Sequence, residues 1–434
     1  MSNQITITPE YESVIQSIRS GTPCILISGK AGVGKTTLLH FMTEYFEKQK
    51  KNVVLVAPTG IAALQAGGAT INSFFRFPPR IMAPANIKKP ADPTIYKQLD
   101  ILFVDEVSMV RPDVVDAMDV FLRRVRGGTK PFGGVQVVFI GDLYQLPPVV
   151  TTQDKPLLEE LGYKDGHYFF NAKIFTKINI KNIELTKIFR QKNVEFASML
   201  NKVREAEDSA TIVGKFNEAC YQPGRKPHEL AITLATTNAI AESKNSSELG
   251  KLPGESRTYL GVTEGEFKLS GNSLPAPQEL ALKVGAAVMF TANDRDELKR
   301  WVNGMLGKVV KIHKSMVDVE VEGGKIFTVE AIDWKSHDYI IKDGKIKQKE
   351  TGKYIQIPLT LGWAITIHKS QGKTLKHLHI DLGNAAFTTG QTYVALSRSV
   401  DIEGMTFERP IRVSDIKCCP LVKAYFNPPA FELI

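Results

Sequence analysis

The chain has 434 residues, a formal net charge of +9 and a pI near 9.1. One hydrophobic core rarely serves a chain of this length, so we expect about two to four domains. The 43% apolar and 23% charged residues are ordinary for a globular protein, and the basic excess favours a polyanionic partner, nucleic acid before membrane. The sequence contains no apolar run of the roughly 20 residues that a membrane span needs, and its polar N-terminus does not resemble a signal peptide.

The cysteines give no indication of a metal site or a disulfide framework. Cys24, Cys220, Cys418 and Cys419 lack the spacing of metal ligands, and the adjacent pair is poorly placed for a disulfide bond. We therefore expect an intracellular, reduced protein whose thiols are structural.

Short apolar runs alternate with amphipathic segments over residues 1–150, which predicts a parallel sheet wrapped by crossover helices. Residues 76–94 interrupt this pattern, because they are rich in proline and have no helical period. We expect them to form an excursion from the sheet. The predicted strands are Cys24–Ser28, Val53–Ala57, Ile101–Val104 and Val135–Ile140.

A second α/β pattern is predicted from residue 181 onwards, and an all-β segment at 259–357 divides it. Short apolar runs separated by Gly- or Asp-containing turns predict a small barrel in this segment. The α/β pattern resumes after Pro358. The elements predicted on either side of the barrel are a helix at Val194–Glu205, a strand at Leu230–Leu234, a strand at Leu378–Leu382 and a helix at Thr392–Ser397.

The most informative stretch is GKAGVGKT at residues 29–36, between an apolar run and a segment with helical character. Its glycines let consecutive backbone N–H groups face one point, and the start of the following helix adds its positive dipole. Lys35 would reach the β- and γ-phosphates of a nucleoside triphosphate, and the Thr36 hydroxyl would bind Mg²⁺. The predicted nucleotide-binding residues here are Gly29, Gly32, Val33, Gly34, Lys35, Thr36 and Thr37.

Two adjacent carboxylates, Asp105 and Glu106, follow the predicted strand Ile101–Val104. Ligands of a parallel sheet gather at the carboxyl ends of its strands, so these side chains should lie beside the phosphate loop. Asp105 would hold Mg²⁺ through water, and Glu106 would orient and deprotonate the attacking water.

Three further side chains suit a triphosphate site. Gln145 follows the predicted strand at 135–140 and could contact the γ-phosphate and the attacking water. Arg190 and Arg398 lie in the second α/β pattern, and each guanidinium could stabilise charge that develops during phosphoryl transfer.

Residues 358–372 read as a strand, a helix and a turn rich in hydroxyl and amide groups. Gln371 and Gly372 could contact the γ-phosphate. The residues that could bind strand phosphates are Thr366, His368, Lys369 and Ser370.

Eight segments in this order resemble the Pif family of superfamily 1B 5′→3′ DNA helicases. They are GKAGVGKT, APTGIAA, TINSFF, VDEVSM, GDLYQLPPV, LTKIFRQ, TLGWAITIHKSQG and TYVALSRS. The segment from Asp116 to Lys130, with PFGG at 131–134, also resembles the signature of that family.

The resemblance implies an α/β fold with two RecA-like domains. The first would cover residues 1–180, interrupted at about 65–94 by a wedge domain. The second would cover 181–258 and 358–434, with an SH3-like β-barrel inserted at 259–357.

The resemblance also implies roles for individual residues. Lys35, Thr36, Asp105, Glu106 and Gln145 match ATP-site positions, and Arg190 and Arg398 match the arginine fingers. The residues implied to contact DNA are Pro58, Thr59, Gly60, Asn72, Ser73, Phe74, Phe75, Thr236, Asn238, Thr366, His368, Lys369 and Ser370. Phe74 and Phe75 could stack on bases, and packing in the core is an equal alternative for their rings.

Two positions depart from the family pattern. Tyr11 stands where the family has a glutamine that reads adenine, and Asn72 replaces a common histidine. Tyr11 could stack on the purine, or Gln4 could take the place of the missing glutamine.

The function implied is an ATP- and Mg²⁺-dependent 5′→3′ DNA helicase that acts as a monomer on single-stranded, duplex or forked DNA. Quadruplexes and RNA–DNA hybrids are further candidate substrates, and replication, repair, recombination and telomere maintenance are candidate roles. Two alternatives remain open: a DNA-stimulated ATPase that translocates without unwinding, and an ATP-gated protein that only binds single strands.

Overall fold

The structure is a computed structural model that describes residues 8–191, 193–296 and 299–427. The chain divides into two compact units. Unit 1 contains residues 8–143, 147–189 and 336–351, and unit 2 contains the described residues of 144–146, 190–335 and 352–427.

Unit 1 is built on a six-stranded parallel sheet with the order β3-β2-β4-β5-β1-β6. Helices cover the sheet, and every residue of the central strands β1, β2 and β4 is buried, as expected for a parallel sheet that is covered on both faces. The strands are β1 (Cys24–Gly29), β2 (Val53–Ala57), β3 (Ala69–Thr70), β4 (Ile101–Val104), β5 (Gln136–Gly141) and β6 (Lys181–Leu185). The helices are α1 (Pro9–Arg19), α2 (Lys35–Lys48), α3 (Gly60–Ala66), α4 (Ile71–Phe75), α5 (Thr94–Gln98), α6 (Pro112–Arg126) and α7 (Asp154–Glu160).

The first α/β unit extends further than the sequence predicted. Strand β6 was expected to open the second pattern, but it pairs in parallel with β1, and Ile25 lies opposite Lys181. The boundary expected at residue 181 is therefore wrong, and unit 1 continues to Phe189. The strand at β6 is mostly exposed along its length, so its hydrophobic pattern did not indicate which sheet it joins.

The excursion at 76–94 contains one short 3-10 helix at Pro84–Asn86 and no strand. Helix α6 holds it in place, because Asp113 accepts the backbone N–H of Met82 at 2.8 Å and Arg124 donates to the carbonyl of Ile87. The wider wedge expected at about 65–94 is wrong at its start, since Ala69–Thr70 forms strand β3 of the main sheet.

Unit 2 contains a four-stranded parallel sheet with the order β18-β7-β19-β20. Its strands are β7 (Ile232–Ala235), β18 (Ala364–Thr366), β19 (Leu378–Asp381) and β20 (Met405–Phe407). Its helices are α8 (Val194–Glu205), α9 (Ser209–Cys220), α10 (Asn238–Lys251), α11 (Ile367–Ser370), α12 (Gln391–Leu396) and α13 (Pro420–Phe426).

The all-β segment forms antiparallel sheets, including a five-stranded one with the order β14-β13-β12-β11-β17. Strand β17 pairs with β11, so the β character continues beyond the predicted end at residue 357. The strands are β8 (Arg257–Leu260), β9 (Val262–Gly265), β10 (Glu279–Leu282), β11 (Ala287–Phe290), β12 (Leu306–Ile312), β13 (Met316–Val321), β14 (Ile326–Glu330), β15 (Ile332–Lys342), β16 (Lys345–Gln356) and β17 (Leu359–Leu361).

Among the described residues, no helix combines the length and apolar character that crossing a membrane requires. The four cysteines are free thiols, and Cys24 and Cys220 are buried. Burial raises the pKa of three of these thiols, those of Cys24, Cys220 and Cys418. The pKa is about 12 for Cys220 and about 11 for Cys418, so these thiols are protonated at neutral pH. Within the same part of the chain, no group of three or more His, Cys, Asp or Glu side chains could hold a metal ion.

Candidate nucleotide and nucleic-acid sites

The phosphate loop connects β1 to α2 in unit 1. Gly32 and Gly34 have φ angles of +83° and +81°, in the left-handed region that favours glycine. A Cβ atom at Gly29 would lie 2.8 Å from Val33 and 2.9 Å from the carbonyl oxygen of Leu185. Glycine is therefore required at these three positions, and the turn brings backbone N–H groups to the start of α2, where an anion can bind.

Lys35 is the first residue of α2, and its ammonium group lies over the loop. Its Nζ donates to the carbonyls of Gly29 at 2.7 Å and Lys30 at 3.0 Å. Thr36 and Thr37 follow on the exposed side of the first turn. The expected order of strand, glycine loop and helix is confirmed by β1 and α2.

Asp105 and Glu106 follow β4 in the same sheet. The Asp105 carboxyl group is buried, and burial raises its pKa, while the backbone N–H of Glu106 and the charge of Lys35 counteract the rise. Glu106 has a φ angle of +48°, a conformation that is costly for a residue with a side chain. Strained and desolvated carboxylates are typical of functional sites.

The raised pKa of Asp105 predicts a stability effect with a definite sign. The pKa of this carboxyl group is higher in the folded than in the unfolded protein. Ionisation therefore lowers the free energy of unfolding at pH values above the folded pKa and has no effect on it below the unfolded pKa. In buffer without divalent cations, Asp105→Asn should therefore raise the unfolding temperature at pH 8, and the gain should shrink as the pH falls towards the ordinary pKa of an aspartate, about 4. Thermal unfolding at several pH values measures this difference.

Asp154 provides the matched control for that experiment. Hydrogen bonds from Thr151 lower the pKa of its exposed carboxyl group, so Asp154→Asn should give no gain at pH 8. A fall in the unfolding temperature of Asp105→Asn at pH 8 would contradict the account of a desolvated carboxylate.

Gln145 is packed within unit 2, although it follows β5 of unit 1 in the sequence. Its Oε1 accepts a hydrogen bond from Nε2 of Gln371 at 3.2 Å, so two of the residues predicted to contact the γ-phosphate lie together. Gly390 packs behind this turn, and a Cβ atom there would lie 2.4 Å from the carbonyl oxygen of Gln145. Gln371 thus holds the side-chain amide, and the close approach of Gly390 holds the backbone of the turn.

Arg190 and Arg398 converge on Ser397 in unit 2. Arg190 donates through Nη1 to the Ser397 carbonyl at 3.2 Å, and Arg398 donates through Nη2 to the Ser397 hydroxyl at 2.7 Å. Arg398 is 1% exposed and also bonds the carbonyls of Val394 and Lys373. Burial lowers the pKa of Arg190, which remains charged at neutral pH because an arginine titrates far above it.

The two guanidinium groups thus lie close together, on the carbonyl and the hydroxyl of the same serine. Lys373 follows Gln371 by two residues, and its carbonyl accepts from Arg398. Gln145, Gln371, Arg190 and Arg398 therefore belong to one connected set of contacts in unit 2. The separate set in unit 1 contains Lys35, Thr36, Asp105 and Glu106.

The expected adenine contacts are not supported by the packing. Tyr11 is 4% exposed and belongs to the core of unit 1, with its ring 6.4 Å from that of Phe41. The prediction that it stacks on a purine is corrected, because the core covers its ring. Gln4 lies outside the described residues.

Phe189 is an aromatic residue beside the phosphate loop that sequence reasoning did not select. It is 52% exposed, its N–H donates to the Gly32 carbonyl at 2.9 Å, and its ring would lie 3.6 Å from a Cβ atom at Gly34. Its position directly before Arg190 could have indicated it.

The candidate DNA contacts of unit 1 fall into two groups. Pro58, Thr59 and Gly60 are half-buried at the carboxyl end of β2, where the Thr59 hydroxyl caps α3 by accepting the N–H of Ala62. Asn72 and Ser73 are half-buried on α4.

Phe74 and Phe75 lie in the interior of unit 1. Of the two alternatives, base stacking and packing in the core, the structure therefore supports packing in the core. Their ring centroids are 4.9 Å apart, and Tyr96, Phe77 and Phe121 surround Phe75. Base stacking on these two rings is not supported, because neither is accessible.

The candidate DNA contacts of unit 2 gather at one edge of its sheet. Ala235 lies opposite Thr366 in β18 and Asp381 in β19, which places Thr236 and Thr366 at neighbouring carboxyl ends. His368 and Lys369 follow on α11, and Asn238 is exposed at the start of α10. Burial lowers the pKa of His368, so its imidazole is neutral at pH 7.

Ser370 differs from its neighbours. Its side chain is fully buried, and the hydroxyl donates to the Ile367 carbonyl at 2.7 Å. The prediction that this hydroxyl binds a strand phosphate is therefore corrected, since it completes the C-terminus of α11.

The sequence of residues 4–212 matches the family described as PIF1-like helicase. A crystal structure of Bacteroides sp Pif1 in complex with ADP-AlF4 is 36% identical, with a TM-score of 0.88 over 98% of this chain and 97% of that chain. A crystal structure of Bacteroides Pif1 bound to ssDNA is 36% identical, with a TM-score of 0.69 over 98% and 96% of the two chains.

The ATP-dependent DNA helicase PIF1 of Xenopus laevis is 30% identical over 93% of this chain and 62% of that protein. The chain thus spans about six tenths of the length of the curated relatives it matches. The identity and the near-complete overlap with the Bacteroides structures extend the relationship beyond residue 212 to both units. The chain belongs to the PIF1-like helicase family.

Proposed function

We propose that this chain is an ATP-dependent DNA helicase that moves 5′→3′ along a single strand as a monomer and unwinds duplex DNA ahead of it. The observation that carries the proposal is the arrangement of Lys35 beside the buried carboxyl group of Asp105, on a phosphate loop that follows a parallel strand. This set of groups suits the hydrolysis of a nucleoside triphosphate.

The phosphate loop fits a triphosphate because its glycines adopt the left-handed conformations that the turn requires and Lys35 supplies charge. Thr36 and Asp105 would hold Mg²⁺, which would neutralise charge on the β- and γ-phosphates. The raised pKa of Asp105 supports this role, since a buried carboxylate next to a cation site gains most from a bound metal ion.

We infer that Phe189 supplies the surface on which the base of the nucleotide stacks. Its exposed ring lies beside Gly34 and carries the ammonium group of Lys187 at 5.3 Å from its centroid. A hydrophobic ring contacts any purine, so this surface would bind the base without selecting adenine by hydrogen bonds.

Glu106 would accept the proton of the attacking water, and Gln145 would orient that water. The hydrogen bond between Gln145 and Gln371 supports a sensing role, because a γ-phosphate oxygen could compete for either amide. Arg190 and Arg398, which match the arginine fingers of the family, would stabilise the charge on the transferred group. The two arginines would contact the nucleotide only while its terminal phosphate is present. Hydrolysis would remove that contact, so the affinity for DNA would differ before and after hydrolysis.

The track would be held mainly through its phosphates, by backbone and hydroxyl groups around Thr59, Ser73, Thr236 and Thr366. Such contacts do not read bases, so binding should tolerate any sequence and weaken with salt. The excursion at 76–94, held by Asp113 of α6, would separate the strands. Melting a base pair costs about 1.4 kcal/mol on average, and one ATP provides more than this.

Matched DNA duplexes with a 5′ or a 3′ single-stranded tail test the proposal. Wild-type protein with ATP and Mg²⁺ should displace the strand of the 5′-tailed duplex and leave the 3′-tailed duplex intact. Glu106→Gln should bind both substrates as tightly as wild type and unwind neither, because it retains the fold and lacks the base.

Equal unwinding of both substrates, or unwinding of the 3′-tailed duplex alone, would contradict the assigned polarity. ATP turnover that DNA stimulates without strand displacement would identify a translocating ATPase. Strand binding without any turnover would identify an ATP-gated binding protein.

A further inference from the structure

The hairpin of β15 and β16 carries a row of lysines that the roles assigned above do not use. Its strands are joined by the two-residue turn Asp343-Gly344, with φ angles of +53° and +70°. Both values match the type I′ turn that Asp-Gly favours, so the two strands are tightly paired at this end. Residues 336–351 of the hairpin belong to unit 1.

One face of the hairpin is packed on the rest of unit 1. The Tyr339 hydroxyl donates to the Leu55 carbonyl at 3.1 Å and accepts the Leu55 N–H at 3.2 Å. Gln348 donates to the Gly67 carbonyl at 2.7 Å and to the Tyr339 hydroxyl at 3.4 Å. The ring of Tyr339 also lies 5.5 Å from that of Phe74. These contacts pack the end of the hairpin against the rest of unit 1.

The other face carries the lysines. Side chains alternate between the two faces of a strand, so the neighbours of Gln348 point away from the packed face. Lys345, Lys347 and Lys349 occupy alternate positions of β16, and all three are exposed. We call these three residues the lysine face. Successive members are about 6.7 Å apart along the strand, which is comparable to the separation of consecutive phosphates in one strand of DNA.

The charge of the lysine face is only partly offset by its immediate surroundings. Thr351 donates to the Ser336 carbonyl across the hairpin, so Lys349 lies opposite Asp338 and Lys345 lies opposite a further lysine, Lys342. Lys347 has a carboxylate partner in Asp343 at 3.9 Å, but both side chains are exposed, and such pairs contribute little. The acidic neighbour Glu350 is at an even-numbered position of β16, together with Gln348 on the opposite face.

We propose that the lysine face binds the phosphate backbone of duplex DNA. Sites for single strands combine basic groups with exposed aromatic rings on which bases stack. The lysine face has no aromatic residue at positions 343, 345, 347, 349 or 351. It therefore provides the basic groups that bind duplex phosphates and lacks the rings on which the bases of a single strand stack. The inference rests on the proposed function as a DNA helicase and adds a second binding surface to it.

Equilibrium binding to a blunt-ended DNA duplex and to a single strand, over a range of salt concentrations, tests the inference. The variant carries Lys345→Gln, Lys347→Gln and Lys349→Gln. Loss of three phosphate contacts should reduce the magnitude of the slope of log K against log salt by about 2.7 for the duplex, and affinity for the duplex should fall at least about tenfold at low salt. Affinity for the single strand should change less than about twofold by the same reasoning.

Two control proteins separate this effect from net charge and from folding. Lys155→Gln, Lys164→Gln and Lys177→Gln remove the same charge from exposed positions elsewhere in unit 1 and should leave duplex binding at the wild-type value. Lys345→Arg, Lys347→Arg and Lys349→Arg keep the charge and should restore duplex binding.

Duplex affinity equal in the lysine-face variant and in the control from elsewhere in unit 1 would overturn the inference. Equal losses of affinity for the duplex and for the single strand would also overturn it, because the lysine face would then bind the single strand. Both results leave the proposed helicase function intact, whereas wild-type protein that binds neither DNA would refute that function as well.

Discussion

Replacing Lys35 by alanine should reduce ATP hydrolysis by at least about 100-fold, because a positioned cation at a developing phosphoryl charge contributes roughly this much. Affinity for single-stranded DNA should stay near the wild-type value, since the role assigned to Lys35 is to bind the nucleotide and the strand is assigned to other residues. Steady-state ATP turnover and fluorescence anisotropy with a labelled oligonucleotide measure the two effects.

Lys48→Ala is the matched control, because Lys48 lies at the other end of α2 and forms an exposed ion pair with Glu44. Its turnover should equal that of wild type. Thermal unfolding of Lys35→Ala shows whether losing the bonds to Gly29 and Lys30 loosens the loop. Substantial ATP turnover in a folded Lys35→Ala protein would remove the assignment of this loop.

Arg190→Ala should lower ATP turnover by about 1,000-fold, the lower end of the range for arginine fingers. ATP binding should weaken much less, because the guanidinium acts on charge that develops only during transfer. Arg190 is a cleaner probe than Arg398, which is fully buried and supports Val394, Lys373 and Ser397. Single-turnover hydrolysis and equilibrium nucleotide binding separate the two quantities.

Arg225→Ala serves as the control for Arg190→Ala, since Arg225 is an exposed arginine of unit 2 with one long hydrogen bond to Ala219. It should hydrolyse ATP at the wild-type rate. If Arg190→Ala retained wild-type turnover, Arg190 would be a structural residue that holds Ser397 and no more.

The local sequence was sufficient to predict the parts of the site that lie within one short stretch of chain. The glycines of residues 29–34 and the first residues of α2 are adjacent in sequence, so their geometry follows from backbone sterics and helix capping alone. The position of Asp105 and Glu106 directly after a buried strand was likewise predicted, because the apolar run Ile101–Val104 ends at that point. The parallel sheet itself followed from the alternation of buried strands and helices.

The sequence could not predict features that depend on distant partners. Tyr11 and Ser370 are buried by residues far from them in the chain, so nothing in their local patterns distinguished a core position from an accessible one. The hydrogen bond between Gln145 and Gln371 spans 226 residues. The position of β6 was not predicted, because the sequence of one strand does not show which strand it pairs with. The hairpin of β15 and β16 was assigned to the barrel, although its end packs on Leu55.

ATP turnover by the wild-type protein, measured with and without single-stranded DNA at the same ATP and Mg²⁺ concentrations, tests most directly whether hydrolysis is coupled to a strand. The account predicts that DNA of any sequence accelerates turnover, and that the acceleration declines as salt weakens phosphate contacts. Turnover that is the same with and without DNA would contradict it.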